Sequence, residues 1–320
     1  MHTTFAAQTP HAASGMSAGV RTILWVTGLL FLAFGLMTLE TAVSIWRHEV
    51  YFALNLLDTL VSRNFAWGGE DGYASVPQIL AQYYAKSGRM VLHTALGGIV
   101  VGIGISQFIP ALRRQRPALH RRLGMVVATC MALSMAGALA YLLSTRLSSI
   151  FSGPTFAIFL WGLAILALFL LLQAALAVLA RDFRSHMVWM AACFATFMTA
   201  PFLRADWVLL GLSTPLSLQR ANAAIAPVVL VQSVFVMLLW LSFLGDKDLP
   251  ARTPKGSQWT KSRWPHALLV LLAVMTAGVA MVEGVLFPLG AGVATFARDS
   301  MTVLPTIAGL WAVPTDRKST

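Results

Sequence analysis

The sequence predicts an all-α protein, a polytopic bundle of transmembrane helices. Three observations support this fold class. Hydrophobic residues make up 58% of the 320-residue chain, charged residues make up only 11%, and long uncharged apolar runs recur along it. An average soluble domain has about 25% charged residues. About 20 apolar residues, rising about 1.5 Å each, cross the hydrocarbon core as a helix.

The apolar runs predict seven membrane spans, with an eighth candidate near the C-terminus. The seven runs are residues 22–42, 90–112, 123–143, 156–180, 187–210, 223–244 and 267–286. A further run, residues 301–313, is shorter than a bilayer requires, so we expect it to lie at the interface or to re-enter the protein. If this run does cross the membrane, the chain has eight spans.

The pattern divides the chain into four segments. Residues 1–20, rich in Ala, Thr, Ser and Gly, predict a disordered tail. Residues 21–87 predict an anchor helix and a long loop, whose aromatic residues indicate either a lid over a binding site or anchoring at the membrane interface. Short links predict an antiparallel four-helix core, spans two to five, over residues 88–212. Residues 213–320 then hold the C-terminal membrane helices and tail.

The basic residues concentrate in alternate links, namely residues 113–122, 181–184 and 247–263. Cytoplasmic loops carry an excess of Lys and Arg, so these links and the N-terminus are predicted to be cytoplasmic. The expected location is a multi-pass protein of the cell inner membrane. The net charge of +11 therefore indicates orientation, and the lipid bilayer is the expected partner rather than nucleic acid.

Glycine and proline residues predict details of helix packing. Gly98 and Gly102 form a small-xxx-small pair in span two, which lets another helix approach closely. Pro201 and Pro227 are expected to kink spans five and six.

A first candidate site lies at the predicted cytoplasmic end of spans two to five. Gln107 ends span two, His120 opens span three and His186 opens span five. In an up-and-down bundle, spans three and five are diagonal, so the two imidazoles can meet. Haem b held by two histidines needs such a pair, and Arg121 can bind a propionate. We therefore predict a cofactor site at Gln107, His120, His186 and Arg121.

Other interpretations of these histidines remain open. The two histidines can instead bind a quinone or form a proton relay. A further alternative is that both imidazoles lie at the headgroup level and bind backbone, water or lipid phosphate. The chain contains no Cys-x-x-Cys-His or His-Glu-x-x-His spacing, so no motif-defined metal site is predicted.

A second candidate site lies at the predicted outer ends of the spans. The residues concerned are Glu40, His93, Arg204 and Glu283, which share one expected depth. A charge at the bilayer centre costs about 2.5–3.5 kcal/mol on insertion scales, so charged residues inside spans usually have a partner or line a cavity. These four residues are predicted to bind a small-molecule ligand. The alternative is structural anchoring, because the cost falls toward the interface.

Several short motifs carry a resemblance to a known family. They are His93-Thr-Ala-Leu-Gly-Gly, Gln107-Phe108, Leu119-His120-Arg121-Arg122-Leu123-Gly124 and His186-Met-Val-Trp189-Met190. Over about residues 88–210 the chain resembles a bacterial membrane family catalogued as domain of unknown function 2306. Members often have Arg directly after the last histidine, where this chain has Met187. The resemblance implies an integral membrane protein with recurrent His, Gln and Arg positions, and it implies no activity.

Three functional hypotheses follow. The leading one is a membrane-embedded binding or redox protein that holds haem b or a quinone within spans two to five. The second is a small-molecule or ion transporter, although no clear inverted repeat is evident. The third is a non-enzymatic accessory or assembly factor that binds another membrane protein. The sequence has no Gly-x-Gly-x-x-Gly nucleotide fingerprint, and it leaves both enzymatic activity and catalytic residues open.

Overall fold

The structure, a computed structural model, describes residues 18–68, 75–146 and 149–244, and these ranges contain helices and no strands. The helices are α1 (Ala18–Arg47), α2 (Phe52–Leu60), α3 (Arg63–Trp67), α4 (Val76–Ala85), α5 (Ser87–Gly104), α6 (Pro110–Gln115), α7 (Pro117–Leu143), α8 (Gly153–Leu179), α9 (Phe183–Ser213) and α10 (Leu218–Leu244). A 3₁₀ turn, Ile105–Phe108, follows α5. The predicted all-helical class is confirmed.

Among the described residues, five helices are long and apolar enough to cross a membrane. They are Trp25–Arg47, Ser87–Phe108, Pro117–Leu143, Phe156–Leu179 and Phe183–Ser213. Helix α10 adds a sixth span if its two halves are counted together. The first six predicted spans thus correspond to helices. The seventh, residues 267–286, and the run at residues 301–313 lie outside the described residues, so the total of seven or eight stays a prediction.

Both helices that were predicted to be kinked contain an interior proline. The halves of α10, Leu218–Ala226 and Val228–Leu238, meet at 58° across residue 227. Proline has no backbone N–H to donate to the helix, so the predicted kink has its expected cause. Pro201 lies inside α9, which counts as one span of 31 residues.

The long helices pack in chain order as antiparallel neighbours: α5 lies against α1 and α7, α8 against α7 and α9, and α10 against α9. The bundle therefore has two ends. We name the end with residues 48–68, 75–86, 144–146, 149–152 and 214–217 the loop end. The opposite end, with residues 109–122 and 180–186, is named the arginine end. The division into four segments stays a prediction.

Glycines allow the closest helix contacts. A Cβ on Gly35 of α1 would lie 2.7 Å from the Gly98 carbonyl oxygen and 2.9 Å from Gly102 Cα. A Cβ on Gly137 of α7 would lie 2.9 Å from both the Arg89 oxygen and the His93 nitrogen. These distances are too short for a real side chain, so the glycines hold α5 against α1 and α7. The close approach predicted from Gly98 and Gly102 is confirmed.

A buried polar network fixes the loop end of α8, α9 and α10. Ser152, in the left-handed region at φ 57°, donates from its backbone N–H to Gln219 Oε1 at 2.6 Å. Asn222 Nδ2 donates to Ser152 Oγ at 2.9 Å, and Trp207 Nε1 donates to Asn222 Oδ1 at 3.1 Å. Because each of these donors has an acceptor, the network can be buried without a large cost and orients the Trp207 ring.

Candidate functional site

A cavity of about 240 Å³ lies between the long helices in the half of the bundle toward the loop end. All six long helices, the loop residue Tyr51, α2 and α4 contribute to its wall. Most lining side chains are apolar, and the aromatic ones are Phe34, Tyr51, Tyr83, Tyr141, Phe151, Phe156, Phe159, Phe197 and Trp207. A dry protein cavity of about 150 Å³ can bind benzene, so this cavity has room for one substituted ring.

His93 on α5 lines this cavity with a defined ring orientation. Its Nδ1 lies 3.1 Å from the backbone oxygen of Ser134, which can only accept a hydrogen bond. Ser134 Oγ, 3.2 Å from Nδ1, already donates its own proton to the His93 carbonyl oxygen at 2.8 Å. Nδ1 must therefore carry the ring proton when the imidazole is neutral. Nε2 is left with a lone pair, so it can accept a hydrogen bond.

Arg204 on α9 is the second polar residue that sequence reasoning placed here and that lines the cavity. Its Nη1 donates to the Ala200 carbonyl oxygen at 3.3 Å, and the guanidinium carbon lies 4.8 Å from the centre of the Trp207 ring. Within the described ranges, no carboxylate forms a salt bridge with Arg204. A guanidinium has five N–H donors, so several remain for a ligand.

Three tyrosines line the same cavity: Tyr51 before α2, Tyr83 on α4 and Tyr141 on α7. The rings of Tyr83 and Tyr141 meet edge to face at 5.6 Å. Burial raises the pKa of Tyr83 well above its usual 10.0, and the nearby Arg204 charge only partly opposes this shift. Burial raises the pKa of Tyr51 in the same way. Both phenols therefore keep their protons at neutral pH and can donate hydrogen bonds.

Lys86, at the junction of α4 and α5, ties the loop end to α7. Its Nζ donates to Gln82 Oε1 at 2.9 Å and to Thr145 Oγ1 at 3.0 Å, and lies 5.7 Å from the centre of the Tyr141 ring. Burial lowers the pKa of Lys86. The segment between α1 and α5 contributes Tyr51 and Tyr83 to the cavity. Trp46, near the end of α1, is 64% exposed, as an aromatic anchor at the membrane interface would be.

Glu40, a third residue of the predicted ligand site, does not line the cavity. Glu40 accepts hydrogen bonds from Ser44 Oγ at 2.7 Å and from the Phe52 N–H at 3.1 Å, so its carboxylate caps the start of α2. This contact satisfies an end-of-helix N–H group. Glu283 lies outside the described residues. The structure therefore brings His93 and Arg204 to one cavity, and the four-residue site stays a prediction.

The predicted cofactor residues gather at the arginine end. His186 Nδ1 lies 2.9 Å from the Ala174 oxygen, and His120 is close enough to His186 for an electrostatic interaction. Gln107 is 9% exposed, and its Oε1 lies 3.1 Å from the position of a Cβ on Gly124, one turn beyond His120. Gln107 Nε2 and His120 Nδ1 are buried without a hydrogen-bond partner within the described ranges. Arg121 is exposed.

At the arginine end, an arginine side chain also contacts a methionine sulfur. Arg113 Nη1 lies 3.6 Å from Met187 Sδ. Met187, which directly follows His186, therefore contacts the guanidinium group of an arginine on α6. Burial lowers the pKa of Arg113, with the Arg114 charge as a smaller cause. In the part of the chain that the structure describes, no group of three His, Cys, Asp or Glu side chains is placed to hold a metal ion.

Sequence reasoning missed several residues that define the cavity. Ser134 and Tyr141 are polar groups inside an apolar run, which is the signal that could have identified them. Tyr51 and Tyr83 belong to a segment whose role as lid or anchor was left open. Sequence spacing alone could not place them, because they reach the cavity through the fold of α2 to α4.

The helices and their packing define a membrane protein with several membrane-spanning helices. Residues 90–241 match the family described as predicted membrane protein (DUF2306), which confirms the resemblance drawn from the motifs. The match runs from α5 into α10 and so extends beyond residue 210. Searches of curated proteins and of solved structures give no significant match.

Proposed function

We propose that the protein binds a quinone in the cavity at the loop end, as a membrane-embedded redox-cofactor protein. The observation that carries this proposal is the pairing of a hydrogen-bond acceptor, His93 Nε2, with donors from Arg204, Tyr51 and Tyr83 in one apolar cavity. Binding sites for small molecules typically combine apolar walls with a few polar groups that set orientation.

The chemistry of a quinone suits these groups in both oxidation states. A quinone has carbonyl oxygens, which accept hydrogen bonds from Arg204 and the tyrosines. A quinol has hydroxyl groups, one of which can donate to His93 Nε2. The cavity of about 240 Å³ and its aromatic wall suit a single planar ring. A haem, with four pyrrole rings, is far larger than the single ring that such a volume accommodates.

The test is a binding titration of purified detergent-solubilised protein with a short-chain benzoquinone, followed by quenching of the intrinsic tryptophan fluorescence. Arg204→Met should weaken binding roughly ten- to hundredfold, because a hydrogen bond to a charged group contributes about 1.5–3 kcal/mol and 1.4 kcal/mol is tenfold in affinity. Arg89→Met is the matched control, since Arg89 is exposed and does not line the cavity. Its affinity should equal that of the unaltered protein.

Two outcomes would count against quinone binding. Equal affinities for Arg204→Met and the unaltered protein would show that the probe binds elsewhere. A reducible Soret band that His120→Ala or His186→Ala abolishes would favour haem b at the arginine end as the cofactor. His186 supports that alternative, because its Nδ1–H bond to Ala174 leaves Nε2 able to coordinate iron, as in many metal-binding histidines. The proposal includes an inner-membrane location and an orientation in which the arginine end faces the cytoplasm.

A further inference from the structure

A second polar feature lies outside the cavity, between α9 and α10. Asp206 is 6% exposed, and Gln232 Nε2 donates to its Oδ1 at 3.3 Å. Asp206 Oδ2 and Gln232 Oε1 are both buried, and neither has a hydrogen-bond partner within the described ranges. Nearly all buried polar atoms in proteins are hydrogen-bonded, so two orphaned oxygens on one contacting pair need an explanation.

The neighbouring helices bring few charged groups to this pair. Helix α8 has no ionisable side chain, α10 has Arg220 near its start, and α5 has Arg89 and His93. Helix α3, which packs on α10, has Arg63, and this residue forms a salt bridge with Asp58. On α9 itself, Arg204 points its Nη1 to the Ala200 oxygen and its guanidinium lies over the Trp207 ring. None of the described residues forms a salt bridge with Asp206. A carboxylate here would be a buried charge without a counter-ion.

We infer that Asp206 carries a proton and that the Asp206–Gln232 pair is a proton-binding site inside the membrane. A proton on Asp206 Oδ2 turns this oxygen into a donor, and Gln232 Oε1 is the acceptor that lacks one. Together with the bond from Gln232 Nε2 to Asp206 Oδ1, the proposed proton would complete a reciprocal pair of hydrogen bonds between a carboxylic acid and an amide. One proton thus satisfies both orphaned atoms.

Protonation also removes a charge that the surroundings cannot pair. An isolated ionised carboxylate in a low-dielectric interior is far more costly than the neutral acid, so the group neutralises. The Asp206–Gln232 pair also lies close to the cavity. Trp207, the next residue, and Val229, three residues before Gln232, both line the cavity, so the pair lies within one helical turn of two cavity-lining residues. The inference does not depend on the identity of the ligand.

Infrared difference spectroscopy of the purified protein at neutral pH tests the inference directly. The spectrum of the unaltered protein minus that of Asp206→Asn should show the carbonyl stretch of a protonated carboxylic acid, shifted on exchange into D₂O. Glu40→Gln is the control, because both Glu40 oxygens already accept hydrogen bonds, and it should leave that band unchanged. A lost pair of carboxylate bands in Asp206→Asn would overturn the inference.

Thermal unfolding provides a second readout. Asp206→Asn keeps one donor and one acceptor, so both bonds to Gln232 can form and the melting temperature should stay close to that of the unaltered protein. Asp206→Ala leaves the Gln232 amide unpaired and should lower it by several degrees. Equal destabilisation by the two changes would contradict the inference. A melting temperature that rises with Na⁺ in the unaltered protein, and not in Asp206→Asn, would also contradict it and indicate a cation site.

Discussion

Backbone hydrogen bonds decide which nitrogen each histidine offers. His93 and His186 both direct Nδ1 at a backbone oxygen, of Ser134 and Ala174 respectively. A carbonyl oxygen can only accept a hydrogen bond, so Nδ1 carries the proton and Nε2 is the unprotonated nitrogen in each neutral ring. His120 differs, since its Nδ1 is buried without a partner in the described part of the chain. His120 and His186, both at the arginine end, therefore differ in the hydrogen bonding of Nδ1.

The tautomer of His93 can be measured. We expect ¹⁵N spectra of histidine-labelled protein to show His93 with a protonated Nδ1 and an unprotonated Nε2, because Ser134 supplies two acceptors to Nδ1. A spectrum of His93→Gln identifies the signal. Addition of a quinol should shift the Nε2 resonance, since its hydroxyl donates to this nitrogen. A proton on Nε2 of the ligand-free neutral ring would contradict the assignment.

The sequence could identify His93 and Arg204 because both are polar residues in apolar spans at one expected depth. The same argument selected Glu40, which binds the start of α2 instead of the cavity. Depth along a helix can be counted from sequence, but the direction of a side chain depends on which helices pack around it. Tyr51 and Tyr83 show the same limit, since only the folded loop end brings them to the cavity.

The presence of the long helices followed from the length of the apolar runs, whereas the positions of the helix ends did not. Helix α7 begins at Pro117, six residues before its predicted start, because proline suits the first helical turn. Arg121 and Arg122 therefore lie inside the helix. His120 consequently lies in the first turns of α7. Among its described residues, the predicted loop before α5 contains the short helices α2 to α4, whose packing on α1, α5 and α10 could not be predicted from spacing.

The contact between α1 and α5 depends on glycine. Gly35→Ala should destabilise the protein by about 1–3 kcal/mol, because a Cβ would lie 2.7 Å from the Gly98 oxygen and the backbone must shift. Gly28→Ala is the control on the same helix, where a Cβ meets nothing within 4 Å, and it should be neutral or stabilising. Unfolding in detergent measures both. Equal stability of the two variants would show that α1 packs elsewhere.

Charge distribution relates the bundle to the membrane. Two short links at the arginine end carry seven arginines, in residues 113–122 and 181–184, while the loop end is less basic. Both histidines of the arginine end and the buried Gln107 lie on the same side as these arginines. The cavity lies in the opposite half. Orientation therefore decides which compartment each candidate site faces.

We expect the arginine end to face the cytoplasm, because an excess of Lys and Arg in short loops is retained there. Single cysteines at Gln115, Phe183 and Asn64, all exposed positions, test this with a membrane-impermeant thiol reagent added to intact cells. The reagent should label position 64 and should label 115 and 183 only after lysis. Unaltered protein is the control, since Cys130 and Cys193 are buried. The reverse pattern would put the cavity on the cytoplasmic half, where a quinone site would exchange protons with the cytoplasm.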